Sequence, residues 1–290
     1  MDAARIAASP RPSWNPLQCQ GTVLPPGWLL AAKLLALGLF PGRRLWAAGP
    51  PFLPFFSWLD APVFAPWLEP VVIVVFHGAV LALMFNRLVR AACLAIAGCV
   101  FVHIAAHRLE YANSLLFPGV FLLLIGTYTA QTGLWPLRFQ LALVYFGASL
   151  NKALDADWWH GRFFDTLMIE ALHVRWYALA AGHLPEHWLG AFLGALTIVT
   201  EASIALVALL CRNASVGVLM MIVFHATMLV LTSGQLSVPF LYAALAIAPP
   251  FVEASRTSGQ MRQVPPLMWW AAALLVRFLP RLLSYAQSVH

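Results

Sequence analysis

Charge is what this chain has least of. Of its 290 residues only 10% are Asp, Glu, Lys or Arg, against about a quarter in soluble domains, and that scarcity excludes the water-soluble enzyme classes. Lysine is scarcer still: 15 of the 17 basic residues are arginine, and Lys33 and Lys152 both fall within or at the end of apolar segments. Cysteine is sparse too. Cys19, Cys93, Cys99 and Cys211 show no C-x-x-C spacing, and three lie in apolar runs, which argues for small buried residues over a disulfide or metal framework. No cleavable targeting peptide is apparent, since the first apolar run begins near Val23 after a polar, proline-bearing stretch; the first span is expected to stay as an anchor.

What is abundant is apolar. Hydrophobic residues make up 61% and the mean hydropathy is +0.79. The net charge of +6 comes from basic residues placed singly between apolar runs, the layout of membrane loops and not of a nucleic-acid patch. A membrane helix needs about 20 mostly apolar residues. Eight stretches approach that, near 24–40, 67–86, 88–106, 114–132, 136–152, 188–211, 213–233 and 237–252. Because spanning segments must satisfy their own backbone, the expected fold is all-α, a polytopic bundle of about eight transmembrane helices with interfacial helices. This divides the chain into a polar tail (1–22), the bundle (23–252) and an amphipathic or interfacial C-terminal segment (253–290), where Arg277 and Arg281 are spaced four apart around Pro280. The proline- and aromatic-rich stretch between the first two spans suits an interfacial loop. The gap 153–187 holds five acidic residues and four histidines, with Phe163, Phe164, Leu167, Met168 and Leu172 near helical spacing, which predicts a helix lying on the membrane surface. With the N-terminus inside, the inner loops carry eight arginines and the outer ones five; this bias puts both termini in the cytoplasm and 153–187 outside.

Ionisable groups inside spans are functional candidates because burial makes them costly. They are Lys33, His77, His103, Glu201 and His225, with Lys152 at a span end. Lys33 either snorkels or pairs with Glu201. His77 and His103 read as hydrogen-bonded bundle histidines. The pairs His103/His107 and His183/His187 have i,i+4 metal-ligand spacing, but lie about 80 residues apart without adjacent carboxylate boxes. No metal ligand is therefore assigned, and a histidine-ligated metal enzyme stays a third reading. The most informative segment is RFQLALVYFGASLNKALDADWWHG, residues 138–161. On a helix Lys152 shares a face with Ala148 and Tyr145. An apolar wall favours its neutral amine, whereas Asp155 or Asp157 nearby would favour the ammonium, so the residue reads as a base, an ion-pair partner or an interface anchor.

At these residues the sequence resembles the membrane core of the vitamin K-dependent gamma-glutamyl carboxylase, a family whose stand-alone bacterial relatives are the HTTM-domain proteins. Arg138, Gln140, Val144, Tyr145, Phe146 and Ala148 resemble the family's approach to its catalytic lysine. Lys152 follows, and then Leu154-Asp155-Ala156-Asp157-Trp158, similar to the family's LDADW with Ala153 interposed. Phe224-His225, Leu236-Ser237 and Ala248-Pro249-Pro250-Phe251 are similar to later landmarks, and Glu201 falls where the family carries an acidic residue. The likeness covers roughly residues 65–252.

The resemblance implies a bacterial inner-membrane protein in which Lys152 takes a proton from reduced vitamin K or another quinol, generating with oxygen a base strong enough for carboxylation of a protein glutamate. Asn113, Tyr145, His225 and Glu201 would line or tune the quinone pocket. Asp155, Asp157 and Trp158 would form its outer lip, and loop 153–187 would receive a protein or peptide substrate. Asn113 stands where the carboxylases have a histidine, and can orient a quinol oxygen without exchanging a proton. No stretch after Phe251 matches their large soluble portion. The alternative is a non-catalytic membrane subunit or scaffold in which Lys152 pairs with Asp155 or Asp157.

Overall fold

The computed structural model describes residues 17, 23–39, 65–107, 112–257, 267–274 and 276. The remainder of the polar tail, the loop between the first two spans, and Arg277 with Arg281 lie outside the described residues. Among those described the protein is helical, without strands. Two compact units divide it, Met1–Gln131 with Val264–Trp270 and Thr132–Gln263 with Ala271–His290.

The first unit contains α1 (Pro26–Leu39), α2 (Ala65–Met84), α3 (Val89–Ala106) and α4 (Asn113–Gly126). α1 is buried on nearly every side, and Lys33 is fully enclosed within it. That burial is the opposite of a snorkelling lysine, whose ammonium would reach the interface. α2 instead leaves Val71, Val74 and Leu81 exposed, a stripe that hydrocarbon would cover. α4 ends earlier than its apolar run suggests. The Thr127 hydroxyl donates to the carbonyls of Leu123 and Leu124 at 3.0 and 3.2 Å, closing the last turn.

The second unit contains α5 (Trp135–Ala153), α6 (Ala156–Trp159), α7 (Arg162–Asp165), a π-helical turn at Thr166–Ala171, α8 (Arg175–Ala181), α9 (Trp188–Leu210), α10 (Ala214–Leu231) and α11 (Val238–Thr257). α5 and α9 run antiparallel. Ser149 Oγ donates to the Ile198 carbonyl at 2.9 Å. Near the other end Arg138 donates to the carbonyls of Ala208, Leu209 and Cys211 at 2.7, 2.9 and 2.7 Å. These are among the carbonyls a helix end leaves unpaired, and a guanidinium there also complements the helix dipole. At the start of α10 the Asn213 side chain accepts from Ser215 N at 3.1 Å, and Ser255 Oγ of α11 donates to the same Asn213 oxygen at 2.9 Å, tying the two helices together.

Among the described residues four helical segments are long and apolar enough to cross a membrane: Trp67–Met84, Val89–Ala106, Trp188–Leu210 and Val238–Ser255. Pro26–Leu39, Asn113–Gly126 and Ser215–Leu231 are apolar but shorter. α5 has 19 residues, yet is not among the four, because Arg138, Gln140, Asn151 and Lys152 dilute its apolar run.

Where one surface helix is predicted over 153–187, the chain makes three short helices and a π turn. Their apolar side faces protein. Phe164, Met168, Val174 and Tyr177 form a buried cluster against Leu189 and Leu193 of α9 and Met228 of α10. Three glycines permit this seating: a Cβ at Gly190 would strike the Gly161 carbonyl, and one at Gly194 the Trp158 carbonyl. Gly161 has φ +81, a left-handed conformation that L side chains resist. Asp165 accepts from Tyr177 Oη at 2.5 Å and from His187 Nδ1 at 2.5 Å, fastening α7 to α8 and to the residue before α9. Burial and the Asp165 carboxylate raise the Tyr177 hydroxyl pKa, since both disfavour a phenolate.

Candidate functional site

α5 ends in Asn151, Lys152 and Ala153, but the Lys152 side chain does not continue outward. Side chains on a helix lean toward its N-terminus, and Lys152 Nζ turns back to within 3.4 Å of the Ala148 carbonyl. There it meets Glu201, more than halfway along α9, with Oε2 at 2.8 Å and Oε1 at 3.0 Å. The Trp158 ring completes the setting, its centroid 5.1 Å from Nζ, within cation–π range. Glu201 is buried, and Lys152 keeps 20% of its side chain exposed. An ammonium here thus has a carboxylate, a carbonyl and an aromatic face around it, with one side open.

The pairing corrects the expectation of a bond to Asp155 or Asp157. Asp155 caps α6, accepting from Asp157 N at 3.0 Å, and Asp157 pairs with Arg162 at 3.1 Å, both side chains more than half exposed. These carboxylates lie past the end of α5, whereas the lysine reaches the other way. Both oxygens of the Glu201 carboxylate face Lys152.

A second pair lies on the same face of α5. Tyr145 Oη and His225 Nε2 are 2.6 Å apart, and His225 Nδ1 is 3.3 Å from Ser237 Oγ. Phe240 stacks on the imidazole at 5.5 Å with 15° between planes, and Phe224 meets it edge-on. A neutral imidazole donates through one nitrogen and accepts through the other. Both hydroxyls can do either, so a tautomer change reverses the whole chain of hydrogen bonds.

The structure thus brings together Lys152, Glu201, Trp158, Tyr145 and His225, and adds Ser237. No family model, curated protein or solved structure matches the chain. Asp155 and Asp157 stand at the exposed margin near Trp158. Asn113 opens α4 in the other unit, where it is exposed. Arg138, part of the motif leading to Lys152, caps α9. His103 in the last turn of α3 and His107, the residue capping that helix, have ring centroids 4.9 Å apart and planes tilted by 42°, whereas His187 is engaged by Asp165. Among the described residues no three His, Cys, Asp or Glu side chains are grouped to hold a metal ion. His77 bonds within its own helix, Nδ1 to the Ile73 carbonyl at 2.8 Å, and Cys93 and Cys99 are buried free thiols.

Proposed function

We propose that this is a bacterial inner-membrane protein of the HTTM type, a compact relative of the vitamin K-dependent carboxylases with about eight spans and cytoplasmic termini. In this reading Lys152 accepts a proton from a reduced quinone that enters from the bilayer. The observation that carries it is the inward turn of Lys152 onto the buried Glu201. An interface anchor would place its ammonium among lipid headgroups, whereas here the amine faces a carboxylate inside the bundle. The donor set fits a quinol: an amine able to take a proton, one open side, and an aromatic wall of Trp158 stacked on Phe163 at 4.0 Å.

A quinol, when bound, supplies the acidic hydroxyl and the reducing equivalents. The protein's part is proton handling. Lys152 and Glu201 hold one proton between them as ammonium–carboxylate or amine–carboxylic acid, and the two atoms that exchange it, Nζ and Oε2, are 2.8 Å apart. The second form presents a neutral amine, the state a general base requires. Trp158 orders that amine from the side, and Tyr145 with His225 offers a further path for protons. The exposed margin at Asp155 and Asp157, with the rest of 153–187, is the place where a protein or peptide substrate would approach.

The completeness of the ion pair also suits the second reading, a non-catalytic subunit in which Lys152 and Glu201 merely fasten α5 to α9. Oxidation of a short-tailed quinol by dissolved oxygen, catalysed by the purified protein in lipid discs, separates the two. The base reading expects Lys152→Ala to abolish turnover and Lys152→Arg to leave it equally low, because arginine stays protonated. Equal turnover in wild type and both folded variants would establish the structural reading.

A further inference from the structure

α9 has another working face. Between it and α10 lies a groove of about 420 Å³, within the size range of small-ligand sites. Phe164, Leu193, Met220 and Met228 form its walls, and Leu196, Leu219 and Val223 stand exposed along its rim. Its α10 side runs from Leu219 to Leu231, about 18 Å at 1.5 Å per residue. The shape is that of a slot for one extended chain.

Three threonines interrupt the apolar lining: Thr197 and Thr200 from α9, and Thr227 from α10. Elsewhere in the helices hydroxyls bond back to their own carbonyls, as Ser203 does to Val199 and Thr232 to Met228. Among the described residues no side-chain hydrogen bond uses the hydroxyls of these three, and none of the three oxygens is sealed away from the groove. Thr197 is only 6% exposed. An unpaired hydroxyl in an apolar wall is costly, so an oxygen-bearing occupant gains by pairing with it. Thr197 is the tenth residue of α9, about 14 Å from its start and thus near the middle of a hydrocarbon core about 30 Å thick. A charged headgroup does not sit at that depth.

We propose that the α9–α10 groove binds one hydrocarbon chain of an uncharged membrane lipid, with an oxygen of that lipid held by Thr197, Thr200 and Thr227. The groove lining includes neither Lys152 nor Glu201, and the proposal does not depend on proton chemistry at that pair. Isoprenoid and acyl lipids share the required features, and the mass of the retained molecule tells them apart.

The test is native mass spectrometry of the full chain, released from a mild detergent after exhaustive washing, with extraction and identification of what remains bound. One uncharged lipid per chain is expected on the wild type. Val223→Trp and Leu196→Trp, which fill the groove from its exposed rim, lose it, while Val230→Trp, exposed on the same helix outside the lining, retains it. Thr197→Val with Thr227→Val weakens retention about five-fold for each hydrogen bond of about 1 kcal/mol removed. Wild type carrying no such lipid, equal retention in the filled variants, or retention only of lipids with charged heads overturns the proposal.

Discussion

Lys152 and Glu201 lock α5 to α9 through an amine 2.8 and 3.0 Å from the two oxygens of one carboxylate. Removing either partner leaves the other charge in a largely desolvated place, which costs about 3 kcal/mol, the low end for buried pairs, because Lys152 is partly exposed. Glu201→Gln and Lys152→Met each lower the melting temperature. The double change to Met and Gln is expected to be milder than the sum of the two, and thermal unfolding of all four proteins in one detergent checks it. Strict additivity would mean the two residues do not interact.

Arg138 is predicted to matter for stability more than its half-buried place near the start of α5 suggests. Its guanidinium serves three carbonyls at the end of α9, and charge-assisted bonds contribute about 1.5–3 kcal/mol apiece before losses. Arg138→Ala should destabilise by about 2 kcal/mol or more. Arg138→Lys should recover under half of that, since one ammonium cannot match the planar fork. Melting curves decide, and an unchanged Arg138→Ala protein would contradict the capping role.

Glycine substitutions should divide sharply by position. Gly190→Ala and Gly194→Ala thrust a methyl group into the carbonyls of Gly161 and Trp158, so the 156–165 segment must lift from α9. Gly98→Ala meets nothing within 4 Å and should be neutral or stabilising by about 0.5–1 kcal/mol. Protease sensitivity between Ala156 and Ala181 is the direct measure. Rapid cleavage is expected for the first two variants alone.

The Tyr177–Asp165 contact yields a pH dependence. The Tyr177 pKa is raised in the folded protein, whereas an unfolded tyrosine ionises near pH 10. The contribution is therefore fully present below about pH 10 and is lost as pH rises toward the folded value, because over that interval the native state binds more protons than the unfolded one. The slope approaches about 1.4 kcal/mol per pH unit. Tyr177→Phe should be less stable at pH 8 and show a shallower decline above pH 10. Parallel curves for the two proteins would rule out this source.

Much of the second unit is readable from residue order, and the limits have identifiable causes. The common face of Tyr145, Ala148 and Lys152 follows from helical spacing, and Glu201 stands out as a carboxylate in an apolar run. Their pairing does not follow, because it depends on the backward lean of the lysine and on the antiparallel register of α5 and α9. The 153–187 segment shows the same limit. Its periodic apolar residues announce a covered side without saying whether lipid or protein covers it, and the cover proves to be α9, approached through Gly190 and Gly194. Arg138 is visible as a charge at a span end, but its target lies 70 residues away.

The crowding around α9 bears on how this protein can drift over time. One side of the helix carries Gly190, Gly194, Thr197 and Glu201 at spacings of four, three and four, and the rest of the groove lining adjoins it. The stripe through Trp188, Phe192, Val199, Leu206 and Leu210 is turned outward, where any apolar side chain of similar bulk would serve. Related chains should accumulate their differences along that stripe and hold the opposite side nearly constant.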